Sequence, residues 1–170
     1  FIVMDQDPEL VKFRAEGNVE HPVIRDADAQ SYVREERGGW ILGVYEQNAP
    51  ARFEYGVPDS FRADLFQLDL ERIEENMMRA IERVPAVGEA GIKRVINGPM
   101  IWSPDSNVLF GTAPELSNYF CCNGIIPGFS QSGGMGLLAA DWIVTGETRY
   151  DMFVWDVARF GDWADKAFAK

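Results

Sequence analysis

The chain has 170 residues, of which 46% are hydrophobic, 12% aromatic and 25% charged. That is the make-up of an ordinary globular protein, with enough apolar surface for one sizeable core or for part of a larger fold. A net charge of −11 argues against nucleic acid and anionic membrane as partners, because both require a basic face.

One histidine and two adjacent cysteines leave too few ligands for a Cys/His metal site. Cys121 and Cys122 fall on opposite faces of a strand, so two buried, reduced thiols and a reducing compartment are expected rather than a disulfide framework. No apolar run reaches transmembrane length and no signal peptide is read. Phe1-Ile2-Val3-Met4-Asp5 begins as a strand already under way, which reads as a piece cut from a longer protein.

In chain order, Phe1 to Met4 is a predicted strand. Pro8 to Glu16 is a short polar helix or loop ended by Gly17-Asn18. His21 precedes Pro22, which favours extended backbone, and it reads as a solvated loop residue in a stretch, His21 to Asp26, that introduces the next strand. Ser31 to Glu35 alternates, and Gly38-Gly39 turns it into Trp40 to Tyr45, so the two strands should pair. Tyr32 and Arg34 then share one face and Val33 takes the other. Such a face could bind a carboxylate-bearing ligand, but the residues alone favour a half-exposed strand with ordinary tyrosine packing.

Gln47 to Phe66 is a long loop, a lid or an excursion over the sheet. Asp69 is placed to cap a helix through Val84, with Leu70, Ile73, Met77, Ile81 and Val84 at helical spacing and charged residues outside. Met77 and Met78 are expected in the core, and Pro85 stops the helix. Ala90 to Trp102 reads as strand, Ser103 to Asn107 as a turn, and Val108 to Gly111 leaves it. After a turn at Pro114 to Asn118, Tyr119 to Asn123 is a buried strand. Tyr150 to Lys170 is aromatic-rich and expected to wrap the surface.

Between them, Gly124, Gly128, Gly133, Gly134 and Gly136 crowd one stretch, and glycine lets backbone approach a ligand closely. A loop is expected from Ile125 to Gln131. Ser132 then caps a helix through Val144 that Gly146 ends. The N-terminus of that helix suits an anion or a carbonyl gaining negative charge. Gly134-Met135-Gly136-Leu137-Leu138-Ala139 also fits the dinucleotide pattern G-x-G-x-x-A. It reads as a false match, because the loop separates strand from glycines and no clean βαβ unit follows. A small-residue helix packed tightly on a sheet explains the glycines at least as well.

Three segments together carry a resemblance. Gly91 to Asn107, GIKRVINGPMIWSPDSN, resembles the N-G-P…T-P-D-G-x-P-L-x-G signature of the dimethylglycine and sarcosine dehydrogenase family, within the glycine oxidase/D-amino-acid oxidase group of flavoproteins. Gly128 to Gly136, followed by Ala139-Ala140-Asp141-Trp142-Ile143, is similar to that family's C-terminal flavin loop and helix. Pro22 to Asp26, Tyr32 to Glu36 and Gly43 to Glu46 look like its substrate-domain sheet. Ser106 and Val108 replace the usual Gly and Pro of the signature.

The resemblance implies an α+β fold. A mixed or antiparallel substrate-binding sheet with helices is expected over residues 1–97. A returning strand-loop-helix over 98–150 would complete a Rossmann-like FAD domain, and a wrap would follow over 151–170. The N-terminal FAD-binding half, with its glycine fingerprint, ribose-binding acid and the histidine that attaches FAD covalently in some members, would precede Phe1. So would a further histidine that members keep upstream of the first strand.

By resemblance, Ile126, Pro127, Gly128, Phe129, Ser130 and Gln131 line the flavin ring. The helix from Ser132 and Gly133 points at its pyrimidine end. Tyr32 is the implied catalytic and substrate-binding residue, orienting the substrate or assisting proton removal from the amine. Arg34 and Tyr45 are secondary substrate-binding candidates.

The implied reaction is oxidative demethylation of an N-methyl amine or amino acid by hydride transfer to FAD. The acceptor would be oxygen or an electron-transfer flavoprotein, and tetrahydrofolate would bind in a further domain. The implied location is the cytoplasm of a bacterium or the mitochondrial matrix of a eukaryote. The fragment alone is expected to be inactive. The family also includes a non-catalytic regulatory subunit of pyruvate dehydrogenase phosphatase, which is the alternative.

Overall fold

The computed structural model describes residues 1–165, 167 and 168, in two compact units, Phe1–Pro99 and Met100–Lys170. The part of the expected C-terminal wrap at Lys166, Ala169 and Lys170 lies outside the described residues.

The first unit is a five-stranded antiparallel sheet. Its strands are β1 (Ile2–Gln6), β2 (Ile24–Asp26), β3 (Ser31–Glu36), β4 (Gly39–Val44) and β5 (Ile92–Val95), in the spatial order β2-β3-β4-β1-β5. β3 and β4 pair as expected, with Glu36 opposite Gly39. The hairpin turn is therefore Arg37-Gly38, one residue before the expected Gly38-Gly39. Both residues have positive φ, 51° and 79°, as a two-residue hairpin turn that follows the strand twist requires.

Period-2 alternation sorts this sheet into two faces. Ile2, Met4, Val33 and Leu42 are buried on one face, where Ala80 and Val87 cover them. These come from α2 (Glu74–Arg83) and α3 (Pro85–Glu89). The stripe Leu70, Ile73, Met77 and Val84 packs there as the helical spacing requires.

Three details of this region correct the sequence reading. Asp69 does not cap the helix; a 3-10 turn at Glu71–Ile73 precedes α2 with no side-chain cap, and Asp69 instead accepts from Arg72 at 3.3 Å. Met78 is exposed, because it sits one residue off the apolar stripe. Pro85 ends α2 yet occupies the first turn of α3, where its missing N–H costs nothing.

Near the N-terminus, α1 (Pro8–Ala15) is capped by Asp7, whose Oδ1 accepts from the Glu9 N–H at 3.0 Å. The segment from Gln47 to Phe66 forms no regular element. It is held by its own rings, with Phe53 and Phe61 centroids 4.8 Å apart and Phe66 within 5.9 Å of both. The strand expected over Ala90 to Trp102 is only β5. Met100, Ile101 and Trp102 lie beyond its end and are exposed.

The second unit is a hairpin, β6 (Leu109–Thr112) with β7 (Phe120–Asn123), and one long helix, α4 (Gly128–Thr145). Val108, Phe110, Met135, Leu138 and Met152 form its core. Phe110, Phe120 and Trp142 meet ring to ring, with Phe110 and Phe120 edge-on at 5.1 Å. Gly111, at φ 114°, leaves room for the Trp142 ring, which a Cβ there would meet at 2.7 Å. The C-terminal segment returns to this hairpin, the Phe110 N–H donating to the Trp155 carbonyl at 2.8 Å. Cys121 is buried as expected, while Cys122 is exposed, and both are free thiols.

The turn before β6 is pinned from the C-terminal segment. Arg159 donates from Nε to Asp105 Oδ2 at 2.8 Å and from Nη2 to Oδ1 at 2.9 Å. The Ser103 hydroxyl and the Asn107 N–H both donate to Asp105 Oδ1 at 3.0 Å. The Arg159 guanidinium leads the causes that hold the Asp105 carboxyl far below the usual carboxylate range.

Candidate functional site

The predicted residues fall in the two units separately: Tyr32, Arg34 and Tyr45 in the first, residues 126–133 in the second.

In the first unit, the sheet face opposite the covering helices carries the candidates. Directly opposed residues on antiparallel strands share a face. Arg25 on β2 opposes Tyr32 on β3, which opposes Gly43 on β4. Tyr45, two residues beyond Gly43, keeps the ladder going by donating its N–H to the Gln30 carbonyl at 2.7 Å. The Tyr32 and Tyr45 rings are 5.8 Å apart, and the Arg25 guanidinium sits 5.1 Å from the Tyr45 ring centroid. Any Cβ at position 43 would overlap the hydroxyl end of Tyr32. Gly43 is thus the floor on which the phenol rests.

Burial and the neighbouring Tyr45 push the Tyr32 phenol above its ordinary value, with Arg34 opposing weakly. Tyr32 is accordingly a neutral phenol at pH 7, a hydrogen-bond donor. Arg34 is on the same face but engaged: Nη1 lies 2.8 Å from Glu36 Oε2 and 3.0 Å from the Glu35 carbonyl.

The opposite side of β3 holds a group that the sequence reading missed. Glu35 is 3% exposed. It accepts from the His21 backbone N–H at 2.8 Å and is bound by His21 Nδ1. Burial raises this carboxyl, and the hydrogen bonds and charge of His21, helped by Arg14, more than offset it, leaving it below its ordinary value. His21 stacks on Phe13, centroids 4.7 Å apart. His21 is therefore partnered rather than simply solvated. The signal was the period-2 rule, which puts Glu35 on the Val33 face; the partner, fourteen residues upstream, has no local signature. A pocket of about 360 Å³ beside α1, lined by Asp7, Phe13, His21 and Trp40 among others, contains none of the predicted residues.

In the second unit, the glycine-rich stretch is helical, which corrects the expected loop. α4 begins at Gly128, so Gly128, Phe129, Ser130 and Gln131 form its first turn and Ile126-Pro127 leads into it. Ser132 is not the cap; its hydroxyl donates to the Phe129 carbonyl at 2.9 Å, and Ser130 donates likewise to the Pro127 carbonyl at 3.2 Å. Tertiary packing of Met135, Leu138 and Trp142 overrides the low propensity of the glycines. The expected stop holds: Gly146 is left-handed at φ 84° and donates to the Trp142 carbonyl at 2.9 Å.

The start of α4 is open. No side chain caps it. Phe129 is fully exposed. A Cβ at Gly128, Gly133, Gly134 or Gly136 would meet nothing within 4 Å. Gln131 Oε1 is buried and has no hydrogen-bond partner. A helix start with free N–H groups, a bare glycine surface and an orphaned acceptor fit a group that brings both polar and flat apolar surface, as a flavin does.

Among the described residues no cluster of His, Cys, Asp or Glu can hold a metal ion, and no helix is long and apolar enough to cross a membrane.

Comparison with known proteins shows the family. Residues 2–142 match the family described as FAD dependent oxidoreductase. The mouse protein named dimethylglycine dehydrogenase, mitochondrial, is 32% identical over 175 aligned residues, covering 100% of this chain and 20% of the relative. Mouse sarcosine dehydrogenase, mitochondrial, is 38% identical over 89% of this chain and 16% of its own length. Mouse pyruvate dehydrogenase phosphatase regulatory subunit, mitochondrial, is 30% identical over 82% of this chain and 16% of its own length. The chain thus spans about a fifth of the first of these relatives. With most of its length matched, the chain belongs to the family of FAD-dependent oxidoreductases and is related within it to dimethylglycine and sarcosine dehydrogenases.

Proposed function

We propose that this chain is the substrate-binding sheet and the flavin-facing return segment of an enzyme that oxidises an N-methyl amine or amino acid of the dimethylglycine or sarcosine type. The observation that carries the reading is the pairing of two features with the family membership. One is an open sheet face bearing Tyr32, Tyr45 and an arginine. The other is an uncapped helix start with bare glycines.

In this reading, residues 1–97 form the substrate domain. Residues 98–150 complete a Rossmann-like FAD domain with an N-terminal half outside this chain, and 151–170 wrap it. FAD would supply the hydride acceptor for oxidation of the N-methyl C–H, and the product would either yield formaldehyde or pass its one-carbon unit to tetrahydrofolate in a further domain. Residues 126–133 would hold the cofactor. The first-turn N–H groups of α4 would offer donors to an anionic ring, and the glycines would allow its close approach. The raised pKa of Tyr32 supports a donor that orients the substrate rather than a base that removes its proton. Oxygen or an electron-transfer flavoprotein would be the final electron acceptor.

The similarity to a phosphatase regulatory subunit supports one alternative, a member that keeps the fold without turnover. A visible absorption spectrum of the full-length protein separates the two. Bands that bleach on anaerobic addition of dimethylglycine or sarcosine support the enzyme. Bands that persist keep the flavoprotein and reject these substrates. Absence of flavin bands favours the regulatory reading.

A further inference from the structure

We propose that Arg25 is the carboxylate anchor of the open sheet face, receiving the acid end of an N-methyl amino acid beside the rings of Tyr32 and Tyr45.

Three observations lead there. First, Arg25, Tyr32 and Gly43 lie in one cross-strand row, and Tyr45 stands on the same face. The arginine and the tyrosine thus reach the same patch from adjacent strands. Second, the guanidinium is positioned by the ring of Tyr45, 5.1 Å away. A cation over an aromatic face leaves its N–H edge free to donate in a fork, the geometry that matches a carboxylate with two parallel bonds.

Third, the charge is uncompensated, in a chain of net charge −11. Among the described residues no carboxylate pairs with Arg25, and Asp26 beside it and Glu46 beside Tyr45 are engaged elsewhere. Asp26 lies 2.9 Å from Arg83 Nε and accepts the Ala29 N–H at 2.9 Å. Glu46 binds Arg72 at 2.5 Å. Arg34, the arginine that the alternation pattern favoured, is neutralised by Glu36 at 2.8 Å. Arg94 opposes Val3 at the other end of the sheet, in the row of Ile41 and Arg34 rather than that of Tyr32.

The consequence is specificity for amines that carry a carboxylate. The inference rests on the amine-oxidation reading above, and the test separates the two. The full-length protein and its Arg25→Ala and Arg25→Lys variants are assayed with dimethylglycine, and with dimethylethylamine, which lacks the acid. Binding of methoxyacetate, which carries the carboxylate but cannot form an iminium, is measured by calorimetry.

The expected result for Arg25→Ala is a rise of at least about tenfold in the KM for dimethylglycine and in the Kd for methoxyacetate, with kinetics on the plain amine within about twofold. Arg25→Lys keeps the charge but not the fork, and falls between. Normal dimethylglycine kinetics and methoxyacetate affinity in Arg25→Ala would overturn the role of Arg25 and leave the oxidation reading standing. Failure of the unsubstituted protein to oxidise either amine would overturn the oxidation reading and the anchor with it.

Discussion

Tyr32 lies over Gly43 on the neighbouring strand so closely that no side chain at position 43 can coexist with the observed phenol. A small methyl is enough to move it. Gly43→Ala is expected to cost about 1–3 kcal/mol of stability, as overpacking does. It should also lower amine oxidation by about tenfold to a hundredfold, because displacement by an ångström is costly in a positioned contact. Tyr32→Phe should lower activity without the stability loss and with flavin retained. Urea unfolding and steady-state kinetics of the full-length protein check both. Unaltered kinetics in Tyr32→Phe would remove this tyrosine from the site.

Glu35 ties the segment around His21 to the sheet, and its pH dependence has a definite sign. Its folded-state pKa lies below the ordinary 4.5, so below that pH the unfolded chain binds the proton more readily. The contribution is therefore complete above about pH 5 and is lost as pH falls through the folded pKa. Glu35→Gln should cost about 1–2 kcal/mol near pH 7, the lower part of the range for a charged hydrogen bond because His21 is half exposed. The difference from the unsubstituted chain should shrink as pH drops below 4. Urea midpoints at pH 7 and pH 3.5 measure it, and a gap independent of pH would place the effect in packing instead.

How far the sequence was readable depends on how local the deciding interactions are. The stripe from Leu70 to Val84, the β3–β4 hairpin and the Gly146 stop follow from spacing and turn chemistry within a few residues, and each is observed. The start of α4 was misread because glycine propensity argues for a loop, whereas Met135, Leu138 and Trp142 anchor a helix from the far side. Glu35 with His21, and Arg25 with Tyr45, were invisible for another reason. Both pairs join separate segments, so only the strand register brings them together. The alternation of Ser31 to Glu35 put Arg34 on the face of Tyr32, but it did not show Glu36 as the residue that pairs with it.

Ser106 occupies left-handed backbone at φ 61°, where the resembled signature has glycine. The turn cannot relax easily, since Asp105 is held by Arg159, Ser103 and Asn107. A non-glycine residue in this conformation costs about 1–2 kcal/mol, and glycine loses about 0.5–1 kcal/mol more chain entropy on folding. Ser106→Gly should therefore stabilise by about 0.5 kcal/mol, and Ser106→Val should destabilise by about 1 kcal/mol or more. Thermal denaturation of the pair decides it; equal melting temperatures would mean that the turn relaxes.

Gly133 poses the opposite problem, a glycine whose conformation any residue could adopt. It lies within a helix, and a Cβ there would meet nothing within 4 Å. Alanine at such a position gains about 0.8–1 kcal/mol of helix stability, so within this chain the glycine is a cost without a return. The proposed function supplies a reason for it, a cofactor that approaches the bare backbone. If that is the flavin, Gly133→Ala should raise the melting temperature of the 170-residue chain, where the approaching group is missing. Gly133→Val should fold with little loss, since the space is open, yet strip flavin from the full-length protein by obstructing its approach. Flavin content by absorbance, set beside thermal melts of the short chain, separates the two effects. Full flavin occupancy in the valine variant would show that the cofactor does not pass over this turn of α4, and would move the proposed contact to the helix start at Gly128.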